Sequence, residues 1–229
     1  MMILSKYGRQ WLAWPVSVVV DQLHRLGISP NAVSYTGFAL TLLSAGLLAG
    51  GFFITGGILL TVASLLDLVD GSLARATKQS SRFGAFLDST LDRYSESVTL
   101  LALAFYYAGQ PRSQLYVMVI LATVVGSLMV SYTRARAEAL GVECKEGWLQ
   151  RPERVFLLIV ALLFNGLFYN QLMVVVLTFM AIMTNVTAVQ RIYQVYRRIQ
   201  KQEESRPEQP KQESAHPFSG SPEPPPAQG

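Results

Sequence analysis

The chain has 229 residues, 51% of them hydrophobic and only 15% charged, with a formal net charge of +4 and a mean hydropathy of +0.31. A soluble domain carries nearer a quarter charged residues, so the composition argues against a soluble fold, and the small net charge argues against a nucleic-acid binder. The single cysteine, Cys144, rules out an internal disulfide.

The first stretch, MMILSKYGRQWLAWP, is apolar but interrupted by Lys6 and Arg9, which does not suit a secretory signal peptide. Residues 1–28 read as an interfacial amphipathic segment, with Trp11 and Trp14 at the headgroup level. Six apolar runs follow, at about 32–50, 54–76, 83–108, 113–138, 154–169 and 171–196, each near the roughly 20 residues that a helical span needs. Ser29 and Pro30 suit the start of the first, as a capping residue and a first-turn proline. The expected fold is therefore all-α: an integral membrane bundle of six transmembrane helices over 29–200, with the interfacial helix before it. Residues 201–229 hold seven of the eleven prolines and almost no apolar side chains, so a disordered cytoplasmic tail is expected there.

Basic residues fall on one side of this plan. Lys6, Arg9 and Arg25 precede the first run, and Arg75, Lys78 and Arg82 lie between the second and third. Arg134, Arg136, Lys145, Arg151 and Arg154 surround the link between the fourth and fifth, and Arg191, Arg197, Arg198 and Lys201 close the sixth, whereas the opposite links contain only Arg112. The positive-inside rule then puts both termini of a multi-pass protein in the cytoplasm, at the cell membrane.

The same side carries Asp67, Asp70, Asp88 and Asp92, four of the five aspartates, with the spacing D-x2-D-G-x2-A-R-x8-G-x3-D-x3-D. Each Asp near the hydrocarbon costs about 2.5–3.5 kcal/mol on insertion scales, so the four need something cationic. Spacings of three and four put each pair on one helix face. Gly71 and Gly84 let helices or a nucleotide approach closely. A short polar link between two antiparallel helices would bring the pairs face to face. Hard oxygen donors suit Mg²⁺, with Mn²⁺ as the alternative, and no histidine or cysteine stands nearby to favour zinc. Two ions about 3.5–4 Å apart would clamp the oxygens of a phosphoryl displacement, with Arg75 and the basic link offsetting phosphate charge. The same carboxylates could instead line the path of a divalent-cation transporter, the reading from a different class.

The segments DLVDGSLAR (67–75) and GAFLDSTLD (84–92) together resemble the complete signature of the CDP-alcohol phosphotransferase family. That resemblance implies an enzyme of phospholipid synthesis with a six-helix membrane fold, commonly homodimeric, which joins a CDP-linked alcohol to an acceptor hydroxyl and releases CMP. It implies that Asp67, Asp70 and Asp88 hold the metals with Asp92 nearby, and that Asp92 is the general base on the acceptor hydroxyl. It further implies that Gly71, Arg75 and Ser81 contact the CDP moiety, with Asn31 as a nucleotide-side contact. A base must reach the attacking hydroxyl, yet a carboxylate beside metals has low proton affinity. The reaction would therefore lean on metal charge and positioning more than on basicity.

A second stretch, SYTRARAEALGVECKEGWLQRPERVFLL (131–158), together with DSTLDR at 88–93, resembles the branch that uses inositol phosphate as acceptor, the phosphatidylinositol-phosphate and archaetidylinositol-phosphate synthases. In that branch basic residues bind the acceptor phosphate, which here points to Arg134, Arg136, Arg154 and Arg191. The guanidinium fork suits phosphate, although each arginine also fits simple snorkelling anchorage. Substrates would be a CDP-linked lipid and a phosphorylated polyol; glycerol 3-phosphate as acceptor, or CDP-inositol as donor, are the alternatives within the same chemistry. Glu96, Glu138 and Glu153 are candidates to pair with arginines, and His24, His216 and Cys144 are not expected to be catalytic.

Overall fold

The computed structural model describes residues 17–77, 81–144, 147–165 and 171–204. Among them the chain is helical throughout, in seven helices and no strand. A short α1 covers 17–25, followed by α2 (Pro30–Ala49), α3 (Phe53–Ala76), α4 (Arg82–Ala108), α5 (Ser113–Ala139), α6 (Arg151–Phe164) and α7 (Gln171–Glu204). The expected interfacial tryptophans, Trp11 and Trp14, and most of the proline-rich tail lie outside the described residues.

Helix starts follow local chemistry. Ser29 caps α2 by accepting from the Ala32 amide at 3.3 Å, with Pro30 in the first turn, where its missing N–H removes no helical bond. Ser81 caps α4 in the same way, accepting from Gly84 N at 2.9 Å. Four helices, α2, α3, α5 and α7, are long and apolar enough to cross a membrane. The other two expected spans do not reach that standard on their own. α4 has 27 residues but carries Arg82, Asp88, Asp92, Arg93 and Glu96 in its first 15; α6 has only 14, about 21 Å of helix. α7 continues past its apolar run to Glu204, 34 residues in all. The helix therefore takes in the first four residues assigned above to the tail, because Gln, Lys and Glu are good helix formers whatever their polarity.

Close packing links α2 to α3 and α4, α3 to α6, α6 to α7, α7 to α5, and α5 back to α4. The six long helices so form a ring, and α2 stands against both α3 and α4, the two helices that carry the aspartates. The main core sits toward the other end, built on Leu48, Leu60, Leu100, Leu103, Ile120, Leu162 and Met173. A smaller cluster of Val20, Val33, Val69 and Leu73 docks α1 onto α2 and α3. The outer surface is apolar, with Phe105, Met118 and Val175 each more than 60% exposed, as a bundle solvated by lipid requires. Between helices, polar side chains satisfy backbone acceptors: Ser44 donates to Gly56 O at 2.7 Å, and Asn185 Nδ2 donates to Ala122 O at 3.0 Å. Gly126 makes the α5–α7 approach possible, since a Cβ there would collide with the Thr184 hydroxyl and sit 2.7 Å from Asn185 Nδ2.

Candidate active site

Asp67 and Asp70 lie on the last three turns of α3 before its end at Ala76, and Asp88 and Asp92 on the first three turns of α4. One carboxylate oxygen from each of Asp67, Asp70 and Asp88 lies within 4.8 Å of the others. The trio brings two helices to one point, with Asp70 only 4% exposed. Such a cluster of like charges repels itself unless a cation compensates it. The donor set is all oxygen and carboxylate, which fits Mg²⁺ or Mn²⁺ and does not fit zinc.

Asp92 lies outside this trio but in side-chain contact with Asp67. It lies one turn further along α4, and its Oδ1 is 2.7 Å from Arg151 Nη2. The same guanidinium donates through Nη1 to Asp67 Oδ2 at 2.8 Å. Arg151, the first residue of α6, thus bridges a carboxylate of α3 and one of α4. Ser34 of α2 donates to Asp70 Oδ2 at 2.5 Å. Neither Arg151 nor Ser34 stood out in the sequence as a site residue. The readable signal was the R-P-E-R run, whose two arginines share a helix face, and the single turn between Pro30 and Ser34.

Around the aspartates the other sequence candidates divide into two groups. On one side, Gly84 lies against Ser81 and Asn31: a Cβ on it would stand 3.0 Å from Ser81 Oγ and 3.3 Å from Asn31 Oδ1. Arg75 is exposed at the end of α3, close to Gly71, with its Nη2 donating to Ser72 Oγ at 3.2 Å. On the other side are the arginines of α5, α6 and α7. Arg154 is 1% exposed and grips Glu96 with both prongs, at 2.6 and 2.7 Å, while Nη1 donates to Leu149 O at 3.1 Å. Three of its five N–H donors are so engaged. Arg191 is 3% exposed and donates to Val130 O at 2.5 Å. Arg134 is exposed and pairs with Glu138 at 2.9 Å, and Arg136 is exposed beside it. Arg134 and Arg154 both act electrostatically on Arg191, so three guanidinium groups of like charge share one neighbourhood. Cys144 is buried against Ala137 and Val142, with Val195 and Ile199 of α7 packed on them. That is a packing role.

A small cavity of about 30 Å³ runs from the aspartates into the bundle, with Ser34, Asp67, Asp88, Glu96, Arg151 and Arg154 among its lining. Its charged lining is paired in place, Arg151 with Asp67 and Arg154 with Glu96.

The sequence model of CDP-alcohol phosphatidyltransferases matches residues 27–189, which includes every candidate site residue above except Arg191. The chain belongs to the CDP-alcohol phosphatidyltransferase family. It is a transferase. The archaetidylinositol phosphate synthase of Pyrococcus horikoshii is 37% identical over 185 residues, covering 80% of this chain and 95% of that protein. The phosphatidylinositol phosphate synthase of Streptomyces avermitilis is 35% identical over 173 residues, covering 72% and 68%. The crystal structure of the Mycobacterium tuberculosis phosphatidylinositol phosphate synthase with CDP-DAG bound superposes with a TM-score of 0.74 at 29% identity, over 79% of this chain and 93% of that one. The same enzyme has been solved in complex with manganese and citrate, with the same TM-score over 79% of this chain and 88% of that one.

Proposed function

We propose that this transferase makes a membrane phospholipid by moving a phosphatidyl or archaetidyl group from a CDP-linked lipid to inositol 1-phosphate, with release of CMP. The observation that carries this reading is the pairing of the Asp67–Asp70–Asp88 trio with an arginine set on the facing helices. Guanidinium groups gathered there suit a phosphate, which supports an acceptor that is itself phosphorylated, with Arg134 and Arg154 also paired to Glu138 and Glu96. Inositol phosphate is the acceptor that the names of the relatives support.

In this reading Asp67, Asp70 and Asp88 hold Mg²⁺ or Mn²⁺, two ions with Asp92 beside them. When bound, the metal supplies positive charge to the diphosphate of the donor. Asn31, Gly71, Arg75 and Ser81 seat the CDP moiety. Arg134, Arg136, Arg154 and Arg191 hold the acceptor phosphate and so aim its hydroxyl. Asp92 takes the hydroxyl proton as the oxygen attacks the lipid-bearing phosphorus, and the bond to CMP breaks. Positioning two substrates in line supplies much of the barrier reduction. The bundle crosses the membrane six times as a homodimer, with α4 and α6 shielded among their neighbours and the aspartates facing the cytoplasm.

The test is an acceptor panel with mass detection of the lipid product: purified protein, Mg²⁺, a CDP-lipid, and inositol 1-phosphate, free inositol or glycerol 3-phosphate in turn. CMP release with inositol 1-phosphate alone is the expected outcome. Turnover with glycerol 3-phosphate and none with inositol 1-phosphate would sink the acceptor assignment, and a CDP-inositol arm separates exchange of donor and acceptor roles.

A further inference from the structure

We infer that Arg151 is a built-in counter-ion of the carboxylate site, competing with the metal for Asp67 while it orients Asp92. This deepens the reading just given and rests on it for the role of Asp92.

The inference begins with two matched spacings. Arg151 and Arg154 are three apart at the start of α6, and Asp92 and Glu96 are four apart on α4, so each pair occupies one helix face. Arg154 and Glu96 form the inner contact, both nearly fully buried and joined through two short bonds. That contact sets the register of α6 against α4. One turn nearer the aspartates, the register delivers Arg151 to Asp67 at 2.8 Å and to Asp92 at 2.7 Å. Guanidinium is planar, with parallel donors in a rigid fork. Hydrogen-bonding Asp67 through Nη1 while Nη2 forms an ion pair with Asp92 Oδ1 holds the two acids relative to each other, across the gap between α3 and α4.

The arginine meets Oδ1 of Asp92 and Oδ2 of Asp67, two carboxylates that are also in side-chain contact with each other. Arginine stays protonated at any working pH, so it neither gives nor takes the reaction's proton. It acts through Asp92 as a positioning residue. It is also a fixed positive charge beside Asp67, so it must weaken metal binding even as it holds the metal-free site together.

The experiment uses the full chain in lipid nanodiscs, with Arg151→Gln and Arg151→Lys beside the wild type. Mn²⁺ binding is titrated by electron paramagnetic resonance without substrate. Unfolding temperature is read in EDTA and in saturating Mg²⁺, and CMP release gives kcat and KM. Arg151→Gln should bind Mn²⁺ about tenfold more tightly, since it loses a competing charge. Its unfolding temperature should fall in EDTA and recover in Mg²⁺. Its kcat should fall about 100-fold with little change in the KM for CDP-lipid. Arg151→Lys, which keeps the charge but not the fork, should return Mn²⁺ affinity to the wild-type value without restoring kcat. Weaker or unchanged Mn²⁺ binding in Arg151→Gln, or equal thermal losses with and without Mg²⁺, overturns the counter-ion role. Wild-type kcat in Arg151→Lys overturns the positioning role, and that variant carries the test if Arg151→Gln does not fold. Should the wild type release no CMP with any acceptor, the proposed function fails while the Mn²⁺ and EDTA measurements still judge Arg151.

Discussion

Ser34 sits one turn into α2 and donates a hydrogen bond to Asp70 Oδ2 at 2.5 Å, so it engages one oxygen of that buried carboxylate. Groups that orient a metal ligand typically matter by 10–100-fold when removed. Ser34→Ala should therefore weaken Mn²⁺ binding by about tenfold and leave unfolding in EDTA almost unchanged; wild-type affinity would leave Ser34 as a helix hydroxyl without that function. Asp92→Asn keeps the shape of the side chain and removes its basicity. It should lower kcat by at least about 100-fold while CDP-lipid still binds, the loss expected of a general base, and wild-type turnover would remove Asp92 from that role. The two residues also show what was legible. Asp92 was visible because its spacing from Asp88 is a helical repeat within one segment. Ser34 and Arg151 were not, because their partners are 36 and 84 residues away and only the lateral order of helices brings them close.

That lateral order is a property of elements, and hydropathy does not encode it. The apolar runs placed the six long helices to within a few residues at most ends, since polar links interrupt apolar runs where helices end. They left open that α2 would stand against both α3 and α4, which holds two sequence neighbours apart and leaves room between their carboxylates. They also mistook the end of α7, because loss of apolarity marks the edge of the bilayer and not the end of a helix. What registers α6 in the ring is the Arg154–Glu96 pair, nearly free of solvent. Breaking a buried pair by removing one partner costs about 3–5 kcal/mol, whereas replacing both by apolar residues is often near neutral. Glu96→Gln should lower the unfolding temperature in detergent markedly, and Glu96→Leu with Arg154→Met should regain most of the loss. A double variant as unstable as the single one would mean that the charges themselves are required to place α6. Activity should remain low in the double variant even where stability returns, because Arg154, proposed above to hold the acceptor phosphate, is gone.

Across the whole molecule, every basic helix end falls on the side of the aspartates. α3 ends with Arg75 and α4 begins with Arg82; Arg134 and Arg136 close α5, Arg151 and Arg154 open α6, and Arg197, Arg198 and Lys201 lie near the end of α7. Opposite them lie the α2–α3 turn at Gly50 and Gly51 and the α4–α5 turn with Arg112 alone. α7 adds a geometric argument. Its 34 residues make about 51 Å of helix against a hydrocarbon core of about 30 Å, so its polar last turns must project on the basic side. A donor whose lipid chains stay in the leaflet can present its diphosphate only at that side's headgroup level, where a water-soluble acceptor also arrives. Orientation can be read by cysteine labelling in a Cys144→Ser background, a change at a buried packing position. A cysteine at Gln114, exposed in the first turn of α5, should react with an impermeant maleimide on intact spheroplasts. One at Glu204, exposed at the end of α7, should react only after permeabilisation. The reverse pattern would put the aspartates on the outer face, away from any cytoplasmic supply of nucleotide-linked lipid, and would exclude the proposed reaction in the cell whatever the purified protein does.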